Sequence, residues 1–202
     1  MSAGSWTAKG RATRERIVES AAELMFRRGV AGTSLDDIRA ATGVSKSQLY
    51  HYFADKTELV HAVVTRQARA VLAAQQALFP ALDSWDALHA WRDALVKLQR
   101  QRHCEGGCPI GSLTSELADV DEPARIALAD GFDRWETWIR EGLAAMRDRG
   151  ELRPDADPDT LALATLASLQ GGLLLTQARR TTKPLEAALD AAFAHLRAHR
   201  PA

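Results

Sequence analysis

The sequence predicts an all-α fold of about nine helices, in which a small three-helix unit leads into a larger helical region. Three observations predict it. Apolar residues recur at three- and four-residue intervals through most of the chain. Glycine and proline fall mostly at the ends of those periodic stretches, with Ser, Thr or Asp at their starts. Few segments alternate like strands, and alanine, the strongest helix former, dominates.

Residues 1–12 are small, polar and basic and read as a flexible arm, with a role against a nucleic-acid backbone or with none. Thr13 can cap a first helix through Arg28, with Ile17, Ala21, Leu24 and Met25 inward and Gly29 as its stop. Ser34 caps a second helix whose apolar face is Leu35, Ile38 and Ala41, terminated by Thr42 and Gly43. Ser45 and Gln48 have capping-box spacing at the start of a third helix, and Asp55 and Glu58 repeat the box before a fourth. That fourth helix extends through Leu59, Val63 and Val64 to about Leu78, where Phe79-Pro80 ends it; Arg66, Arg69 and the glutamines mark its solvated side. The reading divides the chain into an arm (1–12), a helix-turn-helix unit (13–58) and a larger domain (59–200).

In the larger domain, Trp85, Leu88, Trp91, Leu95 and Leu98 stripe a fifth helix that breaks at the glycines and proline of CEGGCPIGSL. Ser112 to Asp119 reads as a short helix. Pro123 opens a long one with Phe132, Trp135, Ile139, Leu143 and Met146 on one face. Two helices remain, about Asp157 to Thr182 and Pro184 to His199. The first is apolar nearly all round, with Gly171-Gly172 permitting close approach, so it calls for partners on every side. It is either an internal helix of a monomer or part of a dimer surface.

Composition bounds the function. The chain has 202 residues and zero net charge, which excludes a protein coated in basic charge. Residues 1–60 carry nine Lys/Arg against seven Asp/Glu, and Lys9, Arg11, Arg14 and Arg16 face only Glu15. Such a small basic zone suits a compact site-specific binder. The opening lacks the apolar core of a signal peptide, and Leu161 to Leu175 is too interrupted for a membrane span, so a cytoplasmic location without membrane contact is expected. Arginine exceeds lysine twenty-one to five, a bias of GC-rich bacterial genomes.

Two short helices around a glycine turn, the second rich in exposed donors, form a helix-turn-helix candidate whose second helix fits the major groove. By periodicity alone, a helical hairpin that binds nothing remains an alternative. The stretch ATGVSKSQLYHYFADKTEL resembles the signature of the TetR/AcrR family of bacterial transcriptional repressors. It carries Gly43-Val44-Ser45, the aromatic run Tyr50 to Phe53, and Lys56, preceded by Ile17, Ala21, Leu24, Phe26, Gly29, Thr33, Ile38 and Ala41. The match spans roughly residues 13 to 60; Ser47 stands where many members have glycine, which bears on DNA specificity more than on fold. GGCPIGSLTSEL resembles the LmrA/YxaF-like multidrug-resistance repressors over a shorter stretch.

The resemblance implies a homodimer paired through the last two helices on a palindromic double-stranded DNA operator. It implies DNA contacts from Thr33, Lys46, Ser47, Gln48, Tyr50, His51 and Lys56. Gln48 is chemically suited to adenine, Lys46 to guanine or phosphate, and Thr33 and Lys56 to phosphates. Arg39 is either a further contact or solvated surface. In the larger domain Trp91, Gln99, His103, Phe132, Trp135, Met146 and Gln170 are the candidates for holding a small lipophilic or aromatic effector. Such an effector relieves repression by favouring a dimer whose DNA-reading heads no longer fit the operator.

Cys104 and Cys108 admit three readings: structural thiols, a redox or electrophile sensor, or half of a metal site with His103 and Glu105. No metal and no cofactor is expected. An enzyme is not expected either. His195 and His199 lack a nucleophile at useful spacing, Ser112 lies outside a nucleophile elbow, and no phosphate-binding glycine loop occurs. A helical interaction protein without DNA binding is the remaining class, and burial of Lys46, Gln48, Tyr50 and Lys56 would favour it.

Overall fold

The computed structural model describes residues 7–201, and among these residues it contains nine α-helices and no strand. They are α1 (Ala8–Arg28), α2 (Leu35–Thr42), α3 (Lys46–Tyr52), α4 (Lys56–Leu78), α5 (Trp85–Gln101), α6 (Pro109–Leu117), α7 (Glu122–Asp148), α8 (Pro158–Arg179) and α9 (Lys183–Arg197). The all-α expectation and the helix number both hold.

The starts follow side chains able to take up the free N–H groups of a first turn. Ser34, Ser45, Asp55, Ser84 and Asp121 all cap in this way, and α2 and α3 have complete capping boxes. Two starts depart from expectation. Helix α1 begins at Ala8 because Thr7 supplies the cap, accepting from Gly10 N at 3.1 Å; Thr13 lies well inside it and donates back to Lys9 O. The first half of the expected arm, residues 1–6, lies outside the described residues. Helix α6 begins at Pro109, not Ser112, because a proline needs no N–H partner in the first turn.

Beneath the N-terminal helices one core joins Ile17, Ala21 and Met25 of α1, Ile38 of α2, Leu49 of α3 and Leu59 and Val63 of α4, all at most 3% exposed. Each of the larger side chains contributes about 1.5–3 kcal/mol on leaving water. Helix α4, about 34 Å long at 1.5 Å per residue, packs on α1 at one end and on α6 and α7 further along. It therefore belongs to both the small unit and the larger one.

The α8–α9 hairpin is the most extensively packed pair, and α8 also lies against α7. Gly172 makes the hairpin close: a Cβ there would stand 3.0 Å from Leu185 Cα and 3.1 Å from Ala188 Cβ. Gly171, expected to act with it, faces open space. The outer side of α8 exposes Leu163 (56%), Leu174 (62%) and Leu175 (45%), with Ala167 and Gly171 between them and Ala178 beyond. By length and composition α8 could cross a membrane, but its other side is buried on α7 and α9.

Candidate nucleic-acid interface and cavity

Helix α2 ends at Gly43, whose left-handed backbone (φ 69°) turns the chain; Val44 then drops into the core and Ser45 opens α3. Leu49 is 1% exposed, which pins α3 by one face and turns Lys46, Ser47, Gln48, Tyr50 and His51 outward. The structure thus brings five of the seven expected DNA-contacting residues onto one exposed surface.

The other two are placed differently. Thr33 is wholly buried and donates its hydroxyl to Gly29 O at 2.8 Å, so it braces the α1–α2 turn and presents no hydroxyl to a phosphate. Lys56 is half-buried, and its Nζ donates to Val30 O at 2.6 Å. Gln48 carries a qualification of its own: its Oε1 accepts from Ser45 N at 3.0 Å in the capping box. Bidentate pairing with adenine would require that bond to open, whereas its amide N–H groups can donate with the box intact. Arg39 is partly buried: it pairs with Asp36, and its buried Nε has no partner among the described residues.

A groove beside this surface runs between α1, the end of α3 and α4, with Arg11, Arg14, Arg66 and Arg69 along it. Arg14 stacks on the Phe53 ring at 4.9 Å, and Arg66 pairs with Glu19. Arginines of α1 and α4 therefore stand beside the α3 surface, with Glu15 and Glu58 in the same groove.

In the larger region a cavity of about 490 Å³ lies between α4, α5, α7 and α8, closed at one end by the loop before α6. Trp91, Gln99 and Trp135 line it as expected, together with Gln75, Phe79, Leu95, Leu98, Cys108 and Leu173. Gln75, read from sequence as solvated, instead accepts from Trp91 Nε1 at 2.7 Å and holds that indole in the wall. Among the described residues no carboxylate lines the cavity; its charged residues are Lys97 and Arg102. In its wall, Gln99 Oε1 and Trp135 Nε1 are buried polar atoms without a partner among the described residues. Leaving such an atom unsatisfied costs about 1–3 kcal/mol.

Four expected effector residues are not in the wall. Met146 is fully buried in the core, eleven residues beyond Trp135 and so about 16 Å further along α7. Phe132 is partly buried on α7 and packs against the core. His103 is exposed in the turn after α5 with φ 52°. Gln170 lies outside the wall, where it contacts the Cys108 thiol and sits over Gly111, a Cβ on which would stand 3.1 Å from its Oε1. The missed wall residues Gln75 and Leu173 carry no sequence signal of their own, because the helix crossing that aims them is a tertiary fact.

Cys104 and Cys108 are free thiols, each 6% exposed. They do not share a helix face: Cys104 lies in a left-handed turn (φ 57°) and Cys108 precedes α6. Burial pushes the Cys108 thiol up, against the pull of backbone N–H groups at Gly111 and Ile110. Among the described residues no three His, Cys, Asp or Glu side chains cluster as metal ligands.

Comparison with known proteins agrees with both halves. Residues 17–63 match the family model of bacterial regulatory proteins, tetR family, and residues 84–192 match the tetracyclin repressor-like C-terminal domain. The HTH-type transcriptional regulator in the lacX 3′ region of Lactococcus lactis subsp. lactis is 31% identical over 89% of this chain and 91% of its own length. The regulator YxaF of Bacillus subtilis is 28% identical over 86% and 89%. The crystal structure of a TetR transcriptional regulator from Chloroflexus aurantiacus superposes with a TM-score of 0.80 at 32% identity, over 94% of this chain and 96% of that one. The chain belongs to the TetR family of DNA-binding bacterial transcription regulators.

Proposed function

We propose that this protein is a repressor that binds a palindromic operator as a homodimer and is released by a small lipophilic or aromatic molecule. The observation that carries the reading is α3, where Lys46, Ser47, Gln48, Tyr50 and His51 are exposed while Leu49 anchors the helix beneath them. Burial of Lys46, Gln48, Tyr50 and Lys56 would have favoured an interaction protein; the first three are exposed and Lys56 is half-buried. Lys46 and the amide group of Gln48 are assigned to base edges or adjacent phosphate, and Tyr50 and His51 to the backbone. Lys56 reaches a phosphate only by sharing its ammonium with Val30 O.

The dimer is assigned to the outer faces of α8 and α9. On α8 the exposed apolar stripe has no partner within the subunit, and on α9 Ala187, Ala191, Ala194 and Ala198 form an exposed ridge of small side chains. Small residues let helices of two subunits pack closely into a four-helix bundle. The division of labour follows as residues 13–58 for DNA and 59–200 for ligand and dimer, with α4 crossing the border.

The cavity is the effector site. Its aromatic walls suit a planar apolar body; a carbonyl or hydroxyl oxygen that accepts from Trp135 Nε1, or a hydroxyl that donates to Gln99 Oε1, relieves an unsatisfied polar atom. With Lys97 and Arg102 as the charged lining and no carboxylate, a neutral or anionic effector is favoured over a cation. The GGCPIGSL segment and the likeness to YxaF support placement near the LmrA/YxaF-like regulators. The redox alternative is weaker, since a sensor thiol needs exposure and a lowered pKa and Cys108 has neither.

The experiment is selection of random double-stranded DNA by the purified protein at stated salt. Enrichment of one palindrome, lost on replacing Lys46 and Tyr50 by alanine, is the expected result. Binding that tracks salt alone, with no sequence enriched, would sink the reading.

A further inference from the structure

Glu116 lies in the last turn of α6, an unfavourable place for a carboxylate, because the C-terminal end of a helix is its negative pole. What offsets this is outside the helix. Its Oε2 accepts from Val30 N at 2.7 Å and from Ala31 N at 3.4 Å, in the turn that joins α1 to α2. The carboxylate covers Gly29, where a Cβ would stand 2.9 Å from Oε2. The carbonyl of Val30 is held from the other side by Lys56 Nζ at 2.6 Å and by Thr33 N at 3.3 Å. One residue, Val30, is thus held by α6 on its N–H and by α4 and the approach to α2 on its C=O. Four residues after Val30, Ser34 caps α2, so the setting of this turn fixes α2, and α3 behind it, against α1.

The opposite end of α6 touches the cavity, where Cys108 and Pro109 form part of the wall. Between the two ends runs a single helix of nine residues, about 13 Å long and stiff. The preceding loop is also seated on the head: a Cβ on Gly106 would lie 2.0 Å from Phe26 Cζ of α1. A displacement of the cavity wall therefore has no slack segment in which to dissipate before it reaches Glu116. The carboxylate is exposed, so water competes for it and the contact opens at small cost.

We propose that Glu116 is a positioning residue that reports cavity occupancy to the DNA-reading head by holding or releasing the Val30 peptide. The proposal rests on the ligand-relieved reading above. Its charge matters because a carboxylate serves two backbone N–H donors with charge-assisted bonds, which a neutral amide does less well.

The test uses the full chain, the palindrome recovered by DNA selection, and Ala94→Phe as the occupancy probe, since Ala94 lines the cavity. With Glu116 in place, Ala94→Phe is expected to weaken operator binding about tenfold, within the usual range of allosteric coupling. In a Glu116→Ala background the same substitution is expected to cost about twofold or less, with Glu116→Gln between the two. Equal fold losses in both backgrounds would overturn the role of Glu116 and leave the ligand-relieved reading standing. No loss from Ala94→Phe in either background would overturn both. Amide hydrogen exchange supplies an independent check: Val30 and Ala31 should exchange several-fold faster in Glu116→Ala while α1 core amides do not change. Unchanged exchange at Val30 would also overturn the proposal.

Discussion

In the DNA-reading head, the polar side chains assigned to recognition are outside and the groups that hold the fold are apolar and inside. In the larger region the polar groups of interest are inside, and the unpartnered apolar surface is on the outer face of α8. Lys46 and Tyr50 are exposed, whereas Gln99 and Trp135 are 2% exposed. A head built in the first way can exchange its α3 surface for another operator at little cost to folding. A cavity built in the second way ties ligand recognition to stability, because each wall residue is also core. The contrast teaches that the two halves respond to substitution through different observables.

Trp135→Ala gives the largest expected effect. The indole is nearly buried in the contact between α7 and the cavity, and its truncation should lower unfolding stability by about 3–5 kcal/mol. Chemical denaturation measures it. A loss below about 1 kcal/mol would mean that the wall is looser than the structure describes, and would break the claim that the cavity is built from core residues.

Lys46→Ala probes the other side of the comparison. Exposed and without a partner within the described residues, Lys46 should leave stability within about 0.5 kcal/mol of the parent. Operator affinity should fall by about 1–3 kcal/mol if the ammonium reads a base, with specificity relaxed at one position. If it meets a phosphate, affinity falls across all sequences and the salt dependence weakens by about 0.9 in log–log slope. A titration series at several salt concentrations separates these cases, and unchanged affinity at every salt would remove Lys46 from the interface.

The same contrast explains what could be read from the sequence. Ser34, Ser45, Asp55, Gly43 and Leu49 act within a few residues of where they stand, so the capped hairpin and the outward face of α3 followed from local spacing. The partners of Thr33 and Lys56, Gly29 O and Val30 O, are not legible from local spacing, because they belong to the turn geometry and compete with phosphate for the same groups. For the cavity, the periodic stripe on α7 grouped Phe132, Trp135 and Met146, but a stripe longer than the cavity is wide cannot all line it. Trp91, Gln99 and Trp135 were legible as aromatic or polar residues on inward faces. Gln75 was not, because an amide on a helix surface looks solvated until a tryptophan from another helix donates to it.

The seam between the regions yields the smallest effect and sharpens the comparison most, since it is polar on both sides. His61 of α4 meets both carboxylate oxygens of Asp121 at 2.9 and 2.8 Å, and Asp121 caps α7. The Ala124 backbone N–H, and then the His61 side chain, hold the Asp121 carboxyl below its ordinary value against the opposing effect of burial. A carboxyl lowered in the folded state contributes stability above its unfolded value, about 3.9, and loses that contribution as pH falls through the folded value. Asp121→Asn keeps a capping oxygen and removes the charge. Its stability deficit at neutral pH should therefore be modest, about 0.5–1 kcal/mol for a pair at the surface of the seam. Below about pH 4 the deficit should shrink, because the parent loses the same charge on protonation. Parallel unfolding curves from pH 7 down to pH 3 measure the difference. A deficit that persists undiminished at pH 3 would assign the contribution to cap geometry, and the seam would then be held by backbone hydrogen bonding with no share from the carboxylate charge.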